Sequence, residues 1–279
     1  MSYKTILIHV DQSSHAPERI RLAAILALRE GAHLIGTAMT GISRYVFDSG
    51  AINPHDPTLV HHVDYLRKYA QDAVHLFEQL VTQTGVQSTE SRLVDDDAAG
   101  GLVLQSRYAD LVVIGQTDPN AATPGVMPDF PEYVVMHSVR PVLIVPYVGQ
   151  FNKMITRPLI AWDASITATH AITAALPLLI QVKEVDLVIF NADALGDAHG
   201  KDPGTDVALY LARHGVKINV INQNVTFDIG EALLSLAADL GSDLIIMGGY
   251  GHSRFREIML GGVTRTILSS MTIPVLMAH

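Results

Sequence analysis

An internal repeat is the feature that most constrains the fold of this 279-residue chain. Residues 6–11, an apolar run that ends in Asp11, reappear as residues 159–163, an apolar run that ends in Asp163. Residues 109–115 reappear in the same way as residues 242–248, and residues 140–144 as residues 273–277. A chain that carries one series of segments twice is expected to fold as two similar domains. The length agrees, since a domain of about 150 residues is common.

Within each copy, short apolar runs alternate with helical patterns. In the second copy the pattern predicts strands at residues 158–162, 185–190, 217–222, 244–247 and 275–277, and helices at residues 168–181, 205–213, 229–240 and 263–269. The strands are apolar along their whole length, as in parallel sheets that helices cover on both faces. Pro177 falls inside the first helix and predicts a kink or a break. The predicted fold class is therefore α/β, with two tandem open, Rossmann-like parallel sheets of about five strands each.

Composition excludes several classes of protein. With 48% hydrophobic and 17% charged residues the chain can fold unaided, and a net charge of −9 without a basic patch argues against binding to nucleic acid. The lack of cysteine excludes disulfides, iron–sulfur clusters and thiolate zinc sites. No apolar stretch approaches the roughly 20 residues that span a bilayer, and the first residues lack the pattern of an export signal. We therefore expect a cytoplasmic protein that does not enter membranes.

Glycines are concentrated after the fourth strand of the second copy. Gly248, Gly249 and Gly251 follow this strand, and after nine more residues Gly261 and Gly262 open a helix. In open α/β sheets ligands bind beyond the carboxyl ends of the strands, where backbone amides at helix N-termini can meet an anion. The segment is a candidate phosphate cradle. The alternative is that the glycines serve only the turns of this loop.

The spacing Gly248-x2-Gly251-x9-Gly261 resembles the ATP-binding signature of the universal stress protein family. The resemblance covers essentially the whole chain and indicates the tandem type, with two domains of the adenine-nucleotide α-hydrolase-like fold packed as a pseudo-dimer. It implies that the glycines and their neighbours wrap the phosphates and the ribose, and that Asp163 accepts a hydrogen bond from the adenine edge. The binding residues expected on this basis are Asp163, Met247, Gly248, Gly251, Gly261, Gly262, Val263 and Thr264.

One position departs from the family pattern. The ATP-binding form has Ser or Thr directly after the last glycine, where this chain has Gly262. A hydroxyl contact to phosphate is lost there, although Gly262 offers a backbone amide and Thr264 a neighbouring hydroxyl. Asp163 has a second interpretation as well, because an aspartate between a strand and a helix often caps that helix. The same two interpretations apply to Asp11.

The first copy lacks the glycine-rich loop. Asp118, Pro128 and Asp129 take the positions of the second-copy glycines. Carboxylates repel phosphate, and proline has no amide hydrogen to donate. We therefore expect the first half not to bind ATP and to have a structural role. It would pair with the second half through their last strands, as two separate chains do in single-domain members of the family.

An additional segment of the first copy, about residues 41–64, is rich in histidine and carboxylate. His55, His61, His62 and Asp64 are candidate ligands for zinc or a similar ion. On the helix expected at residues 58–81, however, adjacent histidines point to different faces, which favours ordinary surface residues. A metal-dependent hydrolase built on these side chains is the leading enzyme hypothesis.

These patterns predict two domains, residues 1–148 with a degenerate nucleotide loop and residues 153–279 with a glycine-rich loop. The expected function is that of a stress-response protein that binds ATP or another adenine nucleotide, with or without Mg²⁺, in its second domain and acts by ligand-dependent regulation or signalling. No catalytic residue stands out, so at most slow ATP hydrolysis is expected. One alternative is an interaction module that binds no nucleotide. Protein partners, including a second copy of this chain as a homodimer, are part of the expectation.

Overall fold

A computed structural model describes residues 2–43, 57–121, 123–192, 204–250 and 262–279. The first repeat contains β1 (Thr5–His9), α1 (Ala16–Glu30), β2 (His33–Met39), α2 (Pro57–Thr84), β3 (Thr89–Val94), α3 (Ala98–Ser106), β4 (Leu111–Gly115), α4 (Phe130–His137) and β5 (Val142–Val145). The second repeat contains β6 (Pro158–Ala161), α5 (Ile166–Leu179), β7 (Val185–Phe190), α6 (Thr205–Arg213), β8 (Ile218–Gln223), α7 (Ile229–Leu240), β9 (Leu244–Gly248), α8 (Gly262–Ser270) and β10 (Val275–Ala278). Strands and helices alternate in both repeats, which confirms the predicted fold class.

Two compact units divide the described chain. The N unit contains residues 2–140 and 147–154, and the C unit contains residues 141–146 and 155–279. In the N unit the strand order is β3-β2-β1-β4, with parallel pairing throughout. In the C unit the order is β5-β10-β9-β6-β7-β8, parallel except for the pair β5–β10. Because β5 belongs to the first repeat, these units do not coincide with the repeats, and the domain ranges 1–148 and 153–279 stay a prediction.

The antiparallel pair within the C unit confirms that the last strands of the two repeats pair. Ile144 lies opposite Val275, and Val142 lies opposite Met277. All four side chains are fully or almost fully buried. Burial of apolar strand residues stabilises a protein by about 1.5–3 kcal/mol for each large side chain, so this ladder is part of the C-unit core.

The same hydrogen bonds appear in both repeats at the start of the first strand. In the N unit the carboxylate of Asp110 accepts the backbone N–H groups of Lys4 and Thr5 at 2.7 and 3.0 Å. In the C unit the carboxylate of Asp243 accepts the N–H groups of Thr156 and Arg157 at 2.7 and 2.8 Å. The aspartate that marks the repeat in the sequence thus joins the beginnings of two adjacent strands in each unit.

Two helices can be compared with their predictions. The helix of the additional segment, predicted at residues 58–81, is Pro57–Thr84. Helix α5 runs through Pro177 without a break and ends at Leu179. Pro177 has no N–H to donate to the preceding turn, but only two residues of the helix follow it, so little of α5 depends on continuing past this position. None of the helices in the described part of the chain is long and apolar enough to cross a membrane.

Candidate functional site

The candidate site of the C unit lies at the carboxyl ends of β6 and β9. These parallel strands are neighbours, with Ile160 opposite Ile246. Beyond β6 the chain turns at Asp163 and enters α5, and β9 ends at Gly248. The carboxyl ends of adjacent parallel strands meet at one edge of a sheet, so the turn before α5 and the segment after β9 share this edge. We call this edge the C site.

Asp163 contributes to the turn between β6 and α5. Its Oδ1 atom accepts the backbone N–H of Ser165 at 3.0 Å, and Ala164 has a left-handed backbone with φ of 61°. Ser165 is the N-cap of α5, because its Oγ atom accepts the N–H of Ala168 at 3.1 Å. Asp163 therefore orders the turn without being the cap itself. The residue is exposed, so its carboxylate is also accessible to a ligand.

Gly248 is required by the close approach of α5. A Cβ atom at this position would lie 2.4 Å from Oγ1 of Thr167 and 2.6 Å from the backbone N of Ala168. Both distances are shorter than any side chain can accept, and one of them is to backbone. Glycine therefore allows the first turn of α5 to pack against the end of β9, which brings an N-terminal helix turn to the C site.

The segment after Gly248 is held by β10 and α8. The N–H of Gly249 donates to the carbonyl of Ala278 at 2.9 Å, and Nδ1 of His279 lies 3.0 Å from the carbonyl of Gly249. The N–H of Tyr250 donates to Oγ1 of Thr264 at 3.4 Å, and Tyr250 has φ of 56°. Because Thr264 is almost fully buried, its hydroxyl primarily fixes the path of the chain. Sequence reasoning missed His279.

The remaining predicted residues of the C site have different surroundings. Met247 is buried within β9 and supports the strand. Gly262 begins α8 and is exposed, and among the described residues a Cβ atom there would meet nothing within 4 Å. Val263 follows it and is partly buried. Gly251 and Gly261 lie outside the described residues.

The matching edge of the N unit is filled by a buried ion pair. Nη2 of Arg19, on α1, lies 3.0 Å from Oδ1 of Asp11, and both side chains are buried. A Cβ atom at Gly115, the counterpart of Gly248, would lie within 2.2 Å of the Arg19 guanidinium. The ring of Phe130 packs against His9 with a centroid distance of 4.8 Å. The side chains of the N unit thus occupy the space beside the strand ends.

Charge and burial set the protonation of this cluster. Burial alone would raise the pKa of Asp11, but the charge of Arg19, together with His9 and the hydrogen bonds from Ser13, lowers the pKa to about 2. Burial lowers the pKa of His9 to about 4, although the carboxylate of Asp11 opposes this effect. At neutral pH Asp11 is therefore ionised and His9 is neutral.

The C unit lacks the side chains that fill the N unit. At the repeat positions of His9 and Arg19 the second copy has Ala161 and Ala171. The two alanines are too short to reach Asp163, which explains why Asp163 is exposed while Asp11 is buried. This difference can be found by aligning the two copies, but the sequence comparison used the strands to find the repeat and did not ask what His9 and Arg19 contact.

The loop after β4 in the N unit contacts its own unit. Nε2 of His15 lies 3.1 Å from Oδ2 of Asp118, and the Thr117 hydroxyl donates to the carbonyl of Pro128 at 2.9 Å. The backbones of Gly41 and Gly125 are so close that a Cβ atom on either would contact the other. Asp129 precedes α4 and makes no side-chain cap.

Comparison with known proteins identifies the architecture. The model of the universal stress protein family matches this chain twice, over residues 2–146 and 154–279. The chain belongs to the universal stress protein family. The two matches make it a tandem member, as the resemblance implied.

Related proteins agree with this assignment. Universal stress protein Slr1230 of Synechocystis sp. is 29% identical over 176 residues, which cover 60% of this chain and 57% of that protein, so the match spans little more than half of this curated relative. The crystal structure of a universal stress protein from Archaeoglobus fulgidus DSM 4304 matches 98% of this chain and 94% of that chain, with a TM-score of 0.69 and 16% identity. The crystal structure of a functionally unknown protein, PA1789 from Pseudomonas aeruginosa PAO1, matches 98% of this chain and 92% of that chain, with a TM-score of 0.55 and 14% identity. These structures share the fold.

The candidate metal ligands of this universal stress protein are not gathered into a site within its described part. His61, His62 and Asp64 lie exposed on α2, and His55 lies outside the described residues. Across the described ranges there is no group of three or more histidine, aspartate or glutamate side chains placed to hold an ion.

Proposed function

We propose that the C unit binds an adenine nucleotide at the C site and that the protein acts by ligand-dependent regulation. The observation that carries this proposal is the difference between equivalent positions of the two repeats. Arg19 and His9 surround Asp11 in the N unit, whereas alanines leave Asp163 accessible in the C unit. A ligand can reach only the second of these aspartates.

Three groups of the C site suit a nucleotide. Asp163 can accept a hydrogen bond from the amino group of adenine, since a carboxylate is a strong acceptor. The first turns of α5 and α8 present backbone N–H groups and a favourable dipole to phosphate. Gly262 has no side chain, and no atom of the part of the chain that the structure describes lies within 4 Å of a Cβ there, which allows phosphate oxygens to approach the backbone of α8 closely.

The proposed mechanism is a population shift. Bound nucleotide would contact the loop from Gly248 to Gly261 and thereby change a surface that protein partners recognise. Regulation follows if partners bind the occupied and the empty forms with different affinities, because a ligand shifts an equilibrium only by its differential affinity. At most slow ATP hydrolysis accompanies binding, with Mg²⁺ as an accessory ion. The cytoplasmic location expected from the sequence stays a prediction.

Calorimetric titration of the nucleotide-stripped protein with ATP, ADP and AMP, each with and without Mg²⁺, tests this function. We expect about one nucleotide per chain. The variant Gly251→Asp, which copies the first repeat, should abolish binding while the far-UV circular dichroism stays unchanged. Asp118→Gly, the reverse change in the N unit, is the matched control and should leave stoichiometry unchanged. Failure of all three nucleotides to bind the native chain would favour the interaction module instead.

A further inference from the structure

The two outer edges of the sheets differ in charge. Strand β3, the edge of the N unit, contains Glu90 and Arg92, whose side chains form an ion pair with an Nε–Oε1 distance of 2.7 Å. Strand β8, the edge of the C unit, contains no charged residue; Lys217 directly precedes it, and no charged residue follows it before Asp228. Charged side chains on an edge strand discourage pairing with another strand. The edge at β3 is therefore protected, and the edge at β8 is not.

The hydrogen bonds between β7 and β8 determine which backbone groups of β8 point outward. Val185 donates to the carbonyl of Lys217, and Asn191 donates to the carbonyl of Gln223. In a parallel ladder with this register, every second residue of β8 bonds to β7 and the others point away. The outward N–H and C=O groups belong to Ile218, Val220 and Asn222. Within the described ranges, no strand pairs with this side of β8.

We propose that β8 is a dimerisation edge, at which a second copy of this chain adds its own β8 in antiparallel orientation. A two-fold axis at Val220 places Val220 opposite itself and Ile218 opposite Asn222. The three outward residues of each copy then form about six hydrogen bonds, because each such antiparallel pair exchanges two. Val220 has 37% of its surface exposed in the single chain and becomes the centre of the interface.

Charge favours a second copy as the occupant of this edge. The chain carries a net charge of −9, so two copies repel each other overall, and this repulsion is weakest where the facing surfaces are uncharged. In the proposed register Lys217 lies opposite Gln223, and no like charges face each other across the ladder. Residues 218–227 supply the uncharged surface that self-association of an acidic chain requires.

The area of the contact indicates a weak dimer. Helix α6, which contacts β8, carries the exposed Leu209, and Phe227 is exposed four residues after β8. A short ladder with two such side chains from each copy still falls below the roughly 1,200 Å² that specific interfaces bury. The dimer is thus expected to dissociate on dilution, and a covalent trap is the suitable way to detect it.

Single cysteines provide this trap, since the full chain has none of its own. Residues paired across a hydrogen-bonded antiparallel position have Cα atoms about 5.5 Å apart, which suits a disulfide. Val220→Cys should therefore form a covalent dimer under mild oxidation at least about tenfold faster than either of two controls. Asn222→Cys is exposed on the same strand but would lie about 13 Å from its own copy. Leu93→Cys is exposed on β3, the protected edge.

Each outcome decides the proposal. Fast crosslinking of Val220→Cys alone supports both dimerisation through β8 and the proposed register. In sedimentation at high concentration, Val220→Lys should then lower the dimer fraction, whereas Val220→Thr should not. Equal rates for Val220→Cys and Leu93→Cys would overturn the proposal and leave the edge to a strand of another protein. Equal rates for Val220→Cys and Asn222→Cys would overturn the register. Unchanged far-UV circular dichroism of each variant serves as the folding control.

Discussion

Single residues at equivalent positions of the two repeats have different roles. Asp11 and Asp163 both follow the first strand of their repeat by two residues, and both accept the N–H of the serine two residues later. Asp11 is also paired with Arg19 and buried, while Asp163 is exposed. One position thus supports stability in the N unit and remains accessible in the C unit.

This difference predicts opposite effects of the same substitution. Asp11→Ala should lower the free energy of unfolding by about 3–5 kcal/mol, because it leaves the buried charge of Arg19 unpaired, and nucleotide affinity should not change. Asp163→Ala should cost about 1 kcal/mol or less and weaken nucleotide binding about tenfold. Urea unfolding and calorimetric titration measure the two quantities. Equal losses of stability in the two variants would contradict the assignment.

Gly262 offers a substitution that should improve the site. No atom of the described ranges lies within 4 Å of a Cβ placed there, and serine restores the hydroxyl that the family pattern places after the last glycine. We expect Gly262→Ser to raise ATP affinity about five- to tenfold, since a hydrogen bond to a charged group contributes about 1.5 kcal/mol or somewhat less when partly solvated. Gly262→Ala, which adds only the methyl group, is the control and should bind as the native chain does. Identical affinities for both variants would argue against phosphate contact here.

Among the helices, α1 and α5 approach the same strand position in different ways. At Gly115 the atoms nearest to an added Cβ belong to the end of the Arg19 side chain. At Gly248 they are the hydroxyl of Thr167 and backbone atoms of α5. A side chain can rotate away from a new methyl group, whereas the first turn of a helix must move as a whole.

Gly248→Ala should therefore destabilise the protein more than Gly115→Ala. We expect a loss of about 2–3 kcal/mol at Gly248 together with loss of nucleotide binding, because the first turn of α5 leaves the C site. At Gly115 the loss should be smaller and confined to stability. Thermal unfolding and titration of the two variants provide the comparison, and retained nucleotide affinity in Gly248→Ala would refute the role assigned to α5.

For the molecule as a whole, the buried cluster makes the N unit sensitive to acid. The pKa of His9 is about 4 in the folded chain against 6.5 when unfolded, so the unfolded chain binds the additional proton and stability falls as pH decreases from 6.5 to 4. The pKa of Asp11 is about 2 against 3.8, so its stabilisation is present above pH 3.8 and is lost as pH falls towards 2. Both groups act in the same direction.

Acidification to pH 4 should thus lower the stability of the N unit by about 3 kcal/mol. The single tryptophan, Trp162, lies in the C unit and reports only on that unit, whereas far-UV circular dichroism reports on both. Denaturation at pH 4.5 should show dichroism changing before tryptophan fluorescence, and at pH 7.5 the two signals should lie closer together. His9→Gln should remove the dependence between pH 6.5 and 4. Coincident transitions at every pH would count against acid sensitivity of the N unit.

The sequence by itself determined the repeat, the α/β fold class and the tandem family resemblance, whereas the pairing of the last strands was expected only from that resemblance. The first three follow from patterns between neighbouring residues, such as apolar runs of strand length, glycines at fixed spacing and aspartates at strand starts. Most helix ends were predicted within a few residues for the same reason. Helix α5 agrees to the same degree, since it begins and ends two residues earlier than predicted, and it continues through Pro177 without a break.

Only the tertiary structure decided which side chains occupy the space at the carboxyl ends of the strands in each unit. The loop residues Asp118 and Pro128 predicted from sequence that the first half is unsuited to ATP. That Arg19 fills the space beside the strand ends of the N unit depends on α1 crossing the ends of β1 and β4. The position of His279 beside Gly249 depends in the same way on β10 lying next to β9. Contacts of this kind join residues far apart in the chain. Their partners are set by the packing of whole elements, and no local pattern encodes them.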